Sequence, residues 1–286
     1  MSDVISKIGT WVRKVFPKKT ILTTPFLFNV EVEQPLAMHS GNIGDVIFSC
    51  LFLNAFWQRF GRSVKIHLRT NVPVQYAVDH PLKSILMNDK MAQALRLLLL
   101  KQPYVSSVTV SEEKVNATWN LDSFRALPID YRTGVIPGYF QLCTDLFLNA
   151  YEPWLEAPNS ANIDIIVSRT SRLNSAYINY KFLAKYQERL TFLGIPEEYE
   201  RFVRETSIKC RYYHTWDFVE IASMIKSCKL FIGNQGFLYT LAESLKCPRV
   251  LETNSIAPNN YPMSSNGRMA IFQNQFESFI AQMLGS

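Results

Sequence analysis

The sequence predicts an α/β protein built from two Rossmann-like halves, each a parallel sheet fed by helices. Three observations lead there. From residue 36 onward, short apolar runs alternate with helix-length amphipathic stretches. Glycine-containing turns stand where a strand would pass into a helix, at 41–44 and again at 233–236. Between Glu152 and Asn162, Pro153, Pro158, Asn159 and Ser160 mark a composition shift of the interdomain kind, after which the strand–helix cycle restarts. A chain of 286 residues suits two domains of roughly 150 residues each. With 48% hydrophobic and 19% charged residues it can bury a core, which argues against disorder.

Each element has its own justification. Val4, Ile5, Ile8, Trp11, Val12, Val15 and Phe16 fall at helical spacing, with Lys7, Arg13 and Lys14 between them and Lys18 and Lys19 beyond. They predict a basic amphipathic helix ended by Pro17. Its apolar face either docks on the body of the protein, the commoner arrangement, or lies on an anionic membrane surface through residues 4–19. Leu36–His39 reads as a strand, 41–45 as a glycine turn, Val46–Phe60 as a helix closed by Gly61, and Val64–Leu68 as the next strand. This β-loop-α-β unit puts the first turn at the carboxyl edge of a sheet, where α/β proteins bind ligands. A helix at Ser84–Leu100, a strand at Val105–Val110, an extended Leu127–Tyr131 and a helix at Tyr139–Tyr151 follow. The second half reads as strands at Ile163–Val167, Leu190–Leu193, Leu230–Ile232 and Val250–Glu252. Its helices are Tyr180–Gln187, Pro196–Arg204, Phe218–Ser227 and Phe237–Leu245. The expected division is 1–157, 158–271, and a terminal helix in 272–286 packing back on the first half.

Several classes are excluded. No apolar run reaches the roughly 18 residues of a membrane-spanning helix. Lys7, Arg13 and Lys14 interrupt the apolar residues that a secretory signal would need, so a cytoplasmic protein is expected. The five cysteines contain no C-x-x-C and suit buried thiols in a reducing compartment. His39, His67, His80 and His214 show no zinc spacing, so no metal site is expected. A net charge of +6 permits an anionic partner, whether nucleotide, lipid headgroup or nucleic acid, without choosing among them.

Three junctions carry candidate chemistry. In His39-Ser40-Gly41-Asn42-Ile43-Gly44-Asp45, the glycines let the backbone approach a ligand, and Asp45 is either a functional carboxylate or a helix cap. In Val167-Ser168-Arg169-Thr170-Ser171-Arg172-Leu173-Asn174, two arginines and three hydroxyl or amide groups beyond a buried strand suit a diphosphate, or are solvated loop residues. In Leu230-Phe231-Ile232-Gly233-Asn234-Gln235-Gly236-Phe237, an apolar strand, a turn of neutral amides and a helix start offer N–H groups to an anion. Neither G-x-G-x-x-G nor the Walker pattern occurs, which weakens dehydrogenase and P-loop NTPase readings.

As a set these pieces resemble the heptosyltransferase-like family of GT-B glycosyltransferases, whose two Rossmann-like domains face each other across a donor cleft. The resemblance covers most of the chain from about residue 36 and rests on short motifs. It implies that Asp45, after Gly41, Asn42 and Gly44 of the acceptor-side loop, is the catalytic base. It implies donor-diphosphate contacts from Arg169, Thr170 and Arg172 and from Gly233, Asn234, Gln235 and Gly236. Glu198, in Gly194-Ile195-Pro196-Glu197-Glu198, would meet the donor ribose, and His214, Thr215 and Trp216 stand where such enzymes contact the base. The sequence departs from the family at Phe48, where a histidine is frequent, at the diphosphate loop, which lacks a lysine, and at Asn234 and Tyr239, which replace an acid and a histidine.

The implied activity is inverting, metal-independent transfer from a nucleotide-diphosphate sugar, with no further cofactor. No D-x-D pair of the GT-A kind is present. The family's usual acceptor is a cell-envelope saccharide, which would place the protein on the inner face of a membrane. A modified nucleic-acid base is the alternative acceptor. A non-catalytic nucleotide-sugar-binding protein and a nucleotide-sugar epimerase of the same architecture are the rival functions.

Overall fold

A computed structural model describes residues 27–75, 82, 84–130, 134–160 and 163–285. The expected amphipathic helix at 4–16 lies outside the described residues. In the N-terminal unit, β1 (Leu36–His39) leads into α1 (Ile43–Phe60), followed by β2 (Val64–Arg69), α2 (Asp89–Leu99), β3 (Val105–Ser111), β4 (Trp119–Asn120), a 3-10 turn (Leu121–Ala126) and α3 (Ile136–Gln141). The strand order is β3-β2-β1-β4, with every pairing parallel.

The C-terminal unit contains β5 (Ile163–Ser168), a 3-10 segment (Lys181–Arg189), β6 (Leu190–Leu193), α4 (Pro196–Thr206), β7 (Arg211–Tyr213) and α5 (Phe218–Ser227). Then come β8 (Cys228–Asn234), α6 (Phe237–Ser244), β9 (Arg249–Glu252), β10 (Gly267–Ala270) and α7 (Gln273–Leu284). Its order, β10-β9-β8-β5-β6-β7, is the doubly wound arrangement, also fully parallel. The order reverses between β5 and β8 here, and between β1 and β4 in the first unit. At such switch points the carboxyl ends of neighbouring strands diverge and leave a crevice.

The structure revises several element boundaries. Helix α1 begins at Ile43, so Asn42 holds the N-cap position and Asp45 lies in the first turn. Helix α2 starts only at Asp89, because Asn88 caps it by accepting from the Met91 amide while Ile85 bridges to Pro73. Of the segment expected to be extended at Leu127–Tyr131, residues 127–129 form bends, and the strand beside β1 comes earlier in the chain. Trp119 takes that place, fully buried, with its indole donating to the Asn29 carbonyl at 2.6 Å. The long helix expected at Tyr139–Tyr151 shortens to α3. Strands β7 and β10, absent from the sequence reading, complete the second sheet. Helix α7 packs on its own unit, with Phe276 and Ile280 buried beside Tyr180, Val250 and Ala270, and not on the first half.

An apolar core fixes the two units against each other. Phe48, Phe52 and Leu53 of α1 share one core cluster with Ala222 and Ile225 of α5 and Leu241 and Ala242 of α6. Trp154, in the connection between the units, ties both sides. Its indole donates to the Ile47 carbonyl at 3.0 Å, and its amide donates to the Ser244 carbonyl at 3.1 Å. The Lys246 ammonium lies 4.5 Å above the same ring. Burying that charge pushes the Lys246 pKa down to about 8, against the pull of Glu243.

Candidate active site

The crevice left by the two switch points forms a cavity of about 440 Å³, within the range of small-molecule sites. Residues 42–45 border it from the first unit, and residues 170–173, 198 and 235–237 from the second. The helix starts of α1 and α6 meet at its floor. A Cβ on Gly44 would stand 3.3 Å from the Thr240 hydroxyl, so this residue lets the two first turns approach.

On the first unit's side, Asp45 is held by a chain of charges. The Arg125 guanidinium donates through Nη2 to Asp45 Oδ2 at 2.5 Å and through Nη1 to Asp122 Oδ1. Asp122 Oδ2 accepts from the amide and hydroxyl of Ser40 at 2.8 and 2.6 Å. The buried His39 Nδ1 lies 3.0 Å from Asp122 Oδ1 and 2.9 Å from the Gly41 amide; it can donate to the first or accept from the second, but not both at once. Burial works against ionising Asp122, yet His39, Arg125 and Ser40 outweigh it and hold this carboxyl well below the usual range. Gly41 is required beside Arg125, since a Cβ there would lie 2.2 Å from Nη2. Gly41 therefore shapes the ion-pair chain and does not line the cavity, whereas Asn42 and Gly44 do.

On the second unit's side, Asn234 organises the loop after β5. It is 3% exposed, and its Oδ1 accepts from the Thr170 amide at 2.8 Å. Its Nδ2 faces the Arg172 carbonyl at 2.6 Å and Asn174 Oδ1 at 2.8 Å. Asn234 thus carries Thr170 and Arg172 to the cavity without lining it. This explains an amide where the resembling family has an acid, because a carboxylate would set its oxygen against two other acceptors. Asn234→Asp should cost about 1–3 kcal/mol and weaken any ligand of the 170–172 loop, read by thermal melting and ligand titration. An unchanged melting temperature would contradict that role.

The neighbouring Gln235 lines the cavity with a fixed amide. It donates to the Ala257 carbonyl at 2.6 Å and accepts from the Asn254 amide at 2.9 Å. Glu198, in the first turn of α4, also borders the cavity; burial pushes its pKa up, opposed by the Ile195 amide and Arg201.

Arg169 departs from the expectation. Its guanidinium turns away from the cavity and makes a two-pronged pair with the buried Glu252, Nε to Oε2 at 2.9 Å and Nη2 to Oε1 at 2.9 Å. It is also bonded to the Ile178 carbonyl and Glu205 and lies 4.6 Å above the Tyr180 ring. Its partners leave it no reach to a ligand, so it leaves the candidate set. Gly233 is buried within β8, in register with Ser168, and stands behind the cavity. His214, Thr215 and Trp216 lie outside the cavity lining: His214 Nδ1 is 3.2 Å from the Gly194 carbonyl, and Trp216 carries Lys90 of α2 at 4.0 Å above its ring.

Arg125, Asp122, Thr240, Asn259 and Asn260 belong to the site or its support and escaped the sequence reading. The Asp122-x-x-Arg125 spacing, one helical turn after a short strand, is the signal that would have found the pair. Among the described residues no group of His, Cys, Asp and Glu is placed to hold a metal ion, and no helix is long and apolar enough to cross a membrane.

No protein-family model matches the sequence, and no curated protein is similar to it. Solved structures are similar in fold. The glycosyl transferase family 9 protein from Veillonella parvula DSM 2008 superposes with a TM-score of 0.53 at 12% identity, over 90% of this chain and 92% of that one. E. coli ADP-heptose lps heptosyltransferase II gives 0.54 at 13% identity, over 88% and 97%. E. coli heptosyltransferase WaaC with ADP-2-deoxy-2-fluoro heptose gives 0.52 at 10% identity, over 86% and 99%. Two parallel Rossmann-like units closing on one crevice, together with these likenesses, give the chain the GT-B fold.

Proposed function

We propose that the protein transfers a sugar from a nucleotide-diphosphate sugar to an acceptor hydroxyl, with inversion and without a metal ion. The observation that carries this reading is the convergence of the 42–45, 170–172 and 235–236 segments on one cavity between the units. The second unit would take the donor. Arg172 and the start of α6 meet the diphosphate, where charge-assisted bonds and helix N–H groups stabilise the negative charge of the leaving group, and Thr170 shapes the loop by donating its hydroxyl to the Arg172 carbonyl at 3.1 Å. Glu198 accepts from a ribose hydroxyl. Asp45, on the opposite wall, takes the proton as the acceptor oxygen bonds to the anomeric carbon and the carbon–diphosphate bond breaks, releasing a nucleoside diphosphate. Arg125 fixes one oxygen of Asp45 and leaves the other to face the acceptor.

Two of the similar structures are named for ADP-heptose lipopolysaccharide transfer or contain an ADP-sugar, which favours an ADP-sugar donor here. A thermal-shift screen against ADP-, UDP- and GDP-sugars tests the donor assignment. One nucleotide class should raise the melting temperature with a concentration dependence set by its Kd, and release of its nucleoside diphosphate should follow. No stabilisation by any of the three at millimolar concentration would overturn the proposal.

A further inference from the structure

Resting on that transferase reading, we infer that the acceptor carries its reacting hydroxyl beside an apolar group, and that the first unit's wall of the cavity is built to receive this group. Phe48, Leu82, Leu86, Met91 and Ile136 all line the cavity from the first unit. They come from three places in the chain: α1, the segment entering α2 with α2 itself, and α3. All but Phe48 are only half-buried, so they turn apolar surface toward the open space. The facing wall is mostly polar: beside Leu173 and Phe237 it presents Thr170, Arg172, Glu198, Gln235 and Asn259. The cavity is therefore two-sided, polar toward the donor and apolar toward the acceptor.

Asp45 joins the two chemistries. It stands one turn before Phe48 on α1, and residues three apart share a helix face. A hydroxyl delivered to Asp45 therefore brings its neighbouring carbons against Phe48 and the residues around it. A bare sugar ring carries a hydroxyl on nearly every carbon, and each one stripped of water without a partner costs free energy. Among the described lining residues of this wall, Asn42 and Asp45 are the polar side chains, and Asp45 already gives one oxygen to Arg125. An aliphatic or aromatic carbon skeleton instead displaces water from Leu86, Met91 and Ile136 at a gain that grows with its area.

A homologous series tests this directly. Binding of primary alcohols from 1-butanol to 1-octanol would be followed by ligand-observed NMR on the full chain, with benzyl alcohol compared against 1-heptanol to separate aromatic from aliphatic preference. Affinity should rise roughly fourfold per methylene that reaches the wall. Leu86→Gln and Met91→Gln should each flatten that slope; the melting temperature of each ligand-free variant reports whether it is folded, and the second variant serves if the first is not. A flat series in the unaltered protein, or a slope that survives both substitutions, would overturn the assignment. An ADP-sugar titration alongside keeps the two readings apart. A nucleotide response with a flat alcohol series removes the apolar acceptor and leaves the transferase; an alcohol slope with no response to any nucleotide sugar removes the transferase and the acceptor assignment with it.

Discussion

Asp45→Asn should reduce sugar transfer by about 10²–10⁴-fold while leaving nucleotide affinity within about twofold. The substitution keeps the shape of the side chain. Its amide oxygen can still accept from Arg125 Nη2, which lies 2.5 Å from Asp45 Oδ2, and Arg125 keeps its pair with Asp122. What disappears is the ability to take a proton from the attacking hydroxyl. The donor is expected on the opposite wall, so its binding should not register the change. Measured as kcat under saturating donor, with Kd for the nucleotide taken separately, the loss should fall almost wholly on kcat. Full activity in the variant would remove Asp45 from the chemistry and leave it a partner of Arg125 in the fold. Equal loss of nucleotide affinity would place Asp45 on the donor side instead.

Much of the cavity's lining was legible in the sequence, and the reason is local. Strand-to-turn-to-helix junctions are written in contiguous residues, so 41–45 and 233–236 announced themselves through glycine and a following amphipathic stretch. A parallel sheet places such junctions at one edge, which is why segments far apart in the chain meet in the same crevice. The errors lie where direction depends on partners distant in sequence. An arginine after a buried strand reads as a ligand for diphosphate until Glu252, on another strand, is seen to hold it. The strand of Trp119 went unread because only its pairing with β1 defines it. Arg125 was overlooked because its importance comes from Asp45, eighty residues earlier. Asn234 read only as a departure from the resembling family's acid, whereas its hydrogen bonds show a loop that needs both a donor and an acceptor.

The buried pair of Arg169 and Glu252 supplies the other large effect. Glu252→Gln should destabilise the folded protein by about 3–5 kcal/mol, or roughly 5–8 °C in melting temperature, because it leaves the buried Arg169 guanidinium with only the exposed Glu205 as counter-charge. Glu252 is fully buried and Arg169 is 8% exposed, so water can do little to repair the loss. Glu252 Oε1 also accepts from the Ser175 amide at 2.8 Å, and an amide in its place leaves a single oxygen for the three donors that the carboxylate serves, Arg169 Nε, Arg169 Nη2 and the Ser175 amide. Arg169→Met should be costly for the mirror reason, stranding the carboxylate. If the pair acts as a unit, the double variant Arg169→Met with Glu252→Gln should lose less than the sum of the two single changes, since neither charge is then left alone. Melting of the ligand-free protein is the deciding measurement. A guanidinium that gripped the donor would give the opposite pattern, with stability nearly unchanged and nucleotide affinity sharply reduced in Arg169→Met. That result would return Arg169 to the cavity and require the 169–172 loop to turn over when the donor binds.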